Sequence, residues 1–313
     1  MKSIPLWSAI LLALAAGSMM ALQSRVNGEL AARLDDPFTG TALVFLCSNL
    51  VLAALLPFWK PGRDGLARVT QALKNGDIPP WMILGGLVGG TYVLSQSLVV
   101  TTLGVALFSV ASVGGQTIGG AVMDRTSIVP GGPHLLTPAR LLGALLTLAA
   151  VAITQFSSFS SGVPPWMLLL PIAVGIAQGW QQAVNARVRI IAQSTFTSTL
   201  FNGVTGLAIL IPLAIIQVAR NGVPGDFPGQ WWLYSGGVFG ILFAGLASIV
   251  VHRTGALVYT LLAVTGQLST ALILDLARHA SIPATTVIGL ALAMIGVVIG
   301  SLRKRPPQLR RQA

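Results

Sequence analysis

Apolar stretches of about 20 residues follow one another along nearly the whole chain, each long enough to cross a bilayer's hydrocarbon as a helix rising ~1.5 Å per residue. Ten are predicted, near residues 5–27, 38–58, 80–101, 103–123, 138–156, 164–185, 195–218, 231–251, 256–277 and 283–302. Only 9% of the 313 residues are charged, against roughly a quarter in soluble globular proteins. The connections are too short to hold a soluble domain. The expected fold class is therefore all-α integral membrane, with ten transmembrane helices in the lipid bilayer.

The formal charge of +11 raises the question of nucleic acid. Such a surface needs basic residues clustered on one face among aromatic or polar readers, and no stretch has that form, so no nucleic-acid partner is expected. Alternation of ten spans from a cytoplasmic N-terminus accounts for the charge instead. Of the 19 Lys and Arg residues, only Arg25, Arg33, Arg220 and Arg278 then fall outside. This positive-inside asymmetry predicts a bacterial-type inner (plasma) membrane protein with both termini cytoplasmic. The basic tail after Leu302 reads as a stop-transfer anchor within reach of anionic lipid. Cys47, the single cysteine, lies in the second span and forms no intramolecular disulfide.

The chain also repeats itself. "GSMMALQSRVNG" (17–28) aligns with "GIAQGWQQAVNA" (175–186), so that Gly17 meets Gly175, Gln23 meets Gln181 and Asn27 meets Asn185, each 158 residues later. "GGLVGG" (85–90) answers "GGVFGI" (236–241), and Gly104, Gly115, Gln116 and Asp124 answer Gly255, Gly266, Gln267 and Asp275, all 151 residues later. Two halves are expected, 1–160 and 161–313, joined through the Ser/Gly/Pro-rich "SSFSSGVPP". Lys2, the apolar run after it and "ALA" at 13–15 resemble a cleavable signal. The counterpart of that run in the second half argues that it is mature structure. A five-span unit starts on one side of the membrane and ends on the other, so its second copy enters upside down. Inverted repeats of this kind are the architecture of secondary transporters, with the substrate site near the midplane between them.

Polar side chains within spans cost free energy unless partnered, which makes them candidates for function. Gln116 and Gln267 follow a glycine inside spans four and nine; they either line a central cavity or hold helices together. Gln23 and Asn27, like Gln181 and Asn185, are spaced to share one helical face and carry the same two readings. Asp124 and Asp275 stand eight residues past their glutamines, at span ends. There they read as solvated boundary markers or as gate ion pairs with Arg125 or Arg278, with proton carriage the lesser alternative. Glu29 is either a coupling carboxylate or a balance for Arg25 and Arg33. Trp180 reads as a stacking wall or a packing residue, and Asn49, Tyr92, Gln96, Asn202 and Tyr259 as further lining candidates.

Several chemistries lack their residues. There is no G-x-x-x-x-G-K-[ST] loop for ATP, and His134, His252 and His279 lie in separate loops without carboxylates at ligand spacing. No metal and no other cofactor are expected, and no catalytic residue is assigned.

The "LQSRVNGEL" and "WQQAVNARV" motifs, the "GG-LVGG" opening of span three and the "GQ" followed by Asp in span four resemble the YdcZ-type branch of the drug/metabolite transporter (DMT) superfamily. The chain resembles that branch's fused double form over nearly its full length. The resemblance implies a DMT/EamA-like fold of two inverted five-helix repeats and a secondary transporter of the inner membrane, without naming a substrate. The second half lacks acidic residues after Asn185 and carries Arg187 and Arg189 instead, so the halves are not expected to be functionally equivalent. The reading that follows is a non-ATP transporter that moves a small organic solute by alternating access and draws on a proton or cation gradient. The alternative is a non-transporting membrane scaffold or accessory subunit. An enzyme acting on lipid would need an interfacial His/Asp/Glu cluster, which the sequence lacks.

Overall fold

The computed structural model describes residues 5–123, 125–128, 163–277 and 284–301, with isolated positions between 138 and 153. Among these the regular elements are all helical. In chain order they are α1 (Leu6–Leu34), α2 (Pro37–Leu55), α3 (Lys60–Asn75), α4 (Gly85–Leu103), α5 (Val105–Met123), α6 (Pro165–Ala192), α7 (Thr195–Asn221), α8 (Gly236–Ala277) and α9 (Ala284–Ser301). Short 3₁₀ turns at Leu56–Phe58, Pro80–Leu84 and Trp231–Tyr234 introduce α3, α4 and α8. Six described helical stretches are long and apolar enough to cross a membrane, and Leu262–Ala277 and Val287–Gly296 are shorter apolar helices.

The turn from first to second helix is built the same way in each half. α1 ends where Asp35 adopts a left-handed backbone (φ 50°), and α6 ends likewise at Gln193 (φ 50°). The next residue caps the following helix. Asp36 Oδ1 accepts from the amides of Phe38 and Thr39 at 2.9 and 3.0 Å, and Ser194 Oγ accepts from Thr197 at 3.3 Å. A side-chain acceptor at that position satisfies donors that the first turn of a helix leaves open. These residues are 158 apart, the offset of the Gln-x-x-x-Asn motif.

Two features depart from the expectation. Residues 60–75, expected as a connection, form the amphipathic helix α3, whose buried face of Gly62, Gly65, Val69 and Ala72 packs on the α6–α7 corner. Thr197 Oγ1 donates to the Gly62 carbonyl at 3.0 Å, and the Arg68 guanidinium caps the Ala192 carbonyl at the end of α6 at 2.5 and 3.1 Å.

The second departure is that residues 236–277, expected as two spans, form one helical element of 42 residues. It is not straight. Asn27 rests on Gly236 and Gln23 on Gly240, so α1 and the start of α8 run in opposite directions. Leu14 lies over Gly266, and Thr270 donates to Ser18 at 2.8 Å, so α1 and the end of α8 run the same way. A straight helix would separate Gly240 from Gly266 by about 39 Å while Gln23 and Leu14 are about 13 Å apart on α1. The chain therefore reverses between those contacts. Span five of the sequence reading lies largely outside the described residues; Ala150, within it, is buried against Val110, Leu268 and Leu290.

The core is correspondingly small-residue and aliphatic. Ala9, Ala13 and Ala16 of α1 pack on Val250 and Ala263 of α8, and Phe108 of α5 meets Tyr92 of α4 edge-on at 5.6 Å.

Candidate functional site

Glycine-rich crossings bring the two halves together. α1 lies on α8, and α6 lies on α4 and α5. A Cβ at Gly17 would overlap the carbonyl oxygen of Ala263, and one at Gly175 would overlap that of Ser112. Reciprocally, a Cβ at Gly266 would overlap the Leu14 carbonyl and one at Gly115 that of Ile172. Small residues admit such backbone approach, which is how helices associate tightly where lipid removes the hydrophobic drive. Every partner in one crossing is the repeat counterpart of a partner in the other. Gln116 and Gln267 lie at these crossings through their backbone nitrogens, which face Gly175 and Gly17.

The Gln-x-x-x-Asn faces use the "GGxxG" openings. A Cβ at Gly89 would stand 2.7 Å from Gln181 Nε2, and one at Gly85 2.6 Å from Asn185 Oδ1. In the other half a Cβ at Gly240 would stand 3.4 Å from Gln23 Nε2, and Asn27 Oδ1 occupies the space beside Gly236. Each pair of amides thus presses on a ridge-free helix of the opposite half. Gln23, Asn27, Gln181 and Gln267 are buried; Gln116 and Asn185 are half-buried. Among the described residues no hydrogen bond joins one of these amides to its counterpart.

Polar partners are unevenly supplied. Asn27 Nδ2 donates to Gln96 Oε1 at 2.8 Å, and Gln96 Nε2 donates to Ser24 Oγ at 2.8 Å. Nearby, Thr41 donates to Ser97 at 2.8 Å. The position answering Gln96 in the second half is Ala247, so this network belongs to the first half alone. Among the described residues, five buried polar atoms have no hydrogen-bond partner: Asn27 Oδ1, Asn49 Oδ1, Ser109 Oγ, Gln181 Oε1 and Gln267 Nε2. Their residues lie on α1, α2, α5, α6 and α8. An unpaired buried amide or hydroxyl costs about 1–3 kcal/mol, and hydrocarbon offers nothing to offset it. Ser109 escaped the sequence reading, because one hydroxyl among the many serines of the spans carries no distinguishing pattern.

The carboxylates divide by environment. Asp275 is buried, not solvated, and its oxygens accept from the amides of Val105 and Ala106 at 3.1 and 2.7 Å. It caps α5 from α8, just past Gly104, whose positive φ of 80° ends α4. This corrects the boundary-marker reading: two unsatisfied donors at a helix start hold the carboxylate inside. Asp124 and Arg278 lie outside the described residues. Glu29 is on α1, which runs through to Leu34, and pairs with Arg25 and Arg33 at 2.6 Å each. Arg33 also lies 5.8 Å above the Trp232 ring. Trp180 stacks on Trp81, centroids 6.3 Å apart. Among the described residues no three His, Cys, Asp or Glu side chains gather as a metal site requires.

The geometry is that of one unit used twice, and comparison with known proteins bears on which unit. A single family profile, described as "Putative inner membrane exporter, YdcZ", matches residues 8–153 and again residues 166–299. The chain belongs to the YdcZ family of the DMT group. Because the one profile matches each half, the protein is a tandem fusion of two YdcZ units. No curated protein matches the chain. A crystal structure of a protein 21% identical, covering 93% of this chain and 96% of its own, superposes with a TM-score of 0.56. At that identity the likeness speaks for the fold. This YdcZ-family chain is a multi-pass membrane protein of a transporter class.

Proposed function

We propose that this YdcZ-family protein carries a small organic solute by secondary-active alternating access between two inverted five-span repeats, residues 1–160 and 161–313. The observation that carries the reading is the set of five unpartnered polar atoms buried on helices of both halves. Structural glue is made of paired groups, whereas a pathway keeps groups whose partner is the cargo. Gln23, Asn27, Gln116, Gln181, Asn185 and Gln267 bind the solute in this reading, and the glycine faces opposite them let one half move along the other.

Ten spans and inversion are supported by the reversal within 236–277 and by the repeat-related crossings. Outward transport follows the family's description. Cytoplasmic termini are supported by the basic residues at this end of the bundle, where Arg68 of α3 meets the end of α6 just past Arg187 and Arg189. Asp275 holds the start of α5, Asp124 keeps the gate role that its place in the repeat suggests, and Glu29 is the site for ion coupling.

A thermal-shift screen of a metabolite library on the purified protein tests the reading, repeated with Gln181→Leu and Gln267→Leu. We expect a solute that raises the melting temperature of the native protein and loses that effect in both variants. The variants themselves should melt no lower than the native protein, since leucine removes an unpaired buried group. A hit that survives both substitutions contradicts the proposed binding residues. Variants that fold poorly, with no hit for the native chain, favour the scaffold.

A further inference from the structure

α3 has a second face on which, among the described residues, no other helix packs; only the turn that leads into it lies alongside, where Arg63 donates to the Pro57 carbonyl. Its buried face takes Gly62, Gly65, Val69 and Ala72, whereas Arg63, Ala67, Thr70 and Lys74, spaced i, i+4, i+7 and i+11, line the opposite side and are exposed. Together with Leu56 and Leu66 they border an open groove of about 700 Å³. The groove begins where span α2 ends: Leu56–Phe58 continues α2 by a 3₁₀ turn, and Phe58 and Trp59, 86% and 54% exposed, stand beside it. Aromatic side chains at a span end mark the level of the headgroups.

We propose that this groove is a binding site for an anionic phospholipid. Arg63 and Lys74 supply the charge for the phosphate and its headgroup, Thr70 supplies a hydroxyl, and Leu56 and Leu66 meet the first methylenes of the acyl chains. The groove carries two cations and no carboxylate, so it discriminates by charge; Asp64 and Asp77 lie outside its lining. An amphipathic helix with basic residues on an apolar-edged face is the form that attracts anionic membrane surfaces. A soluble peptide is the poorer occupant, because the groove opens at the level of the bilayer that continues α2.

The location gives the site a consequence. α3 belongs to the first half, yet through Arg68 on the Ala192 carbonyl and Gly62 under Thr197 it fastens the α6–α7 corner of the second. A lipid seated on the outer face of α3 holds that fastening in place.

The test uses the full chain in nanodiscs of phosphatidylcholine alone or phosphatidylcholine with a minor share of phosphatidylglycerol. It reads melting temperature, and the lipid retained by native mass spectrometry. Phosphatidylglycerol is expected to raise the melting temperature and to be retained. Arg63→Gln with Lys74→Gln is expected to weaken its binding about thirty-fold, as the loss of two basic charges near an anionic surface implies, leaving melting in phosphatidylcholine unchanged. Equal melting in the two nanodiscs overturns the proposal. So does an equal effect of free inorganic phosphate or glycerol 3-phosphate, which makes the groove a soluble-anion site. A control pair, Arg310→Gln with Arg311→Gln, is expected to keep the lipid effect; its loss there assigns the lipid to the tail.

Discussion

Asp275 ends an apolar span in the sequence, where a carboxylate ordinarily meets water, and it is buried because the first turn of α5 offers it two backbone donors. Removing a capping side chain costs about 0.5–2 kcal/mol, and here two buried amides lose their acceptor together. Asp275→Ala is expected to lower stability by about 2 kcal/mol, read as a lower melting temperature in detergent, with Asp275→Asn intermediate. A change within error for Asp275→Ala would mean the cap is not made in the membrane. Gln193 presents the opposite case. It holds a left-handed backbone that costs an L-residue about 1–2 kcal/mol and that Asp, its counterpart at position 35, tolerates better. Gln193→Gly is expected to raise stability by up to about 1 kcal/mol, and Asp35→Gly by less, in the same melting assay. The amides were legible as candidates because polar groups are scarce in apolar spans. Asp275 was placed in the right helix but the wrong environment, since its donors come from residues 169 and 170 positions away.

At the level of elements, most helices followed from apolar length, and their corners from caps such as Asp36 and Ser194. α3 did not, because it is amphipathic, short and basic, and its meaning depends on the α6–α7 corner it covers. The two spans within α8 were expected apart. The helical backbone continues through the element, and the reversal shows only in which end of α1 each part touches. The glycines that the sequence showed repeating have a packing reason at the crossings. Gly17→Val and Gly175→Val place a Cβ into a backbone carbonyl, and each is expected to cost about 1–3 kcal/mol as overpacking, seen as reduced melting temperature. Gly120→Ala is the internal control. A Cβ at that position meets nothing within 4 Å, so alanine is expected to be neutral or to gain about 1 kcal/mol of helix propensity.

For the molecule as a whole, two copies of one unit explain why each crossing, corner and amide face occurs twice. Divergence explains why the hydrogen-bond network around Gln96 occurs once. Duplication was legible because the motif order is kept across the chain. The network was not, since it joins Ser24, Asn27 and Gln96 through folding that no local pattern announces. Transport by exchange between halves requires that the copies face opposite ways. The corner residues Asp35 and Gln193 are exposed counterparts, and Cys47 is the single native cysteine, so a Cys47→Ser background carrying Asp35→Cys or Gln193→Cys isolates one corner at a time. Labelling each variant in intact cells with a membrane-impermeant maleimide is the most direct measurement. The account predicts that Asp35→Cys is labelled from outside and that Gln193→Cys reacts only after the cells are opened. Labelling of both corners from the same side would contradict it.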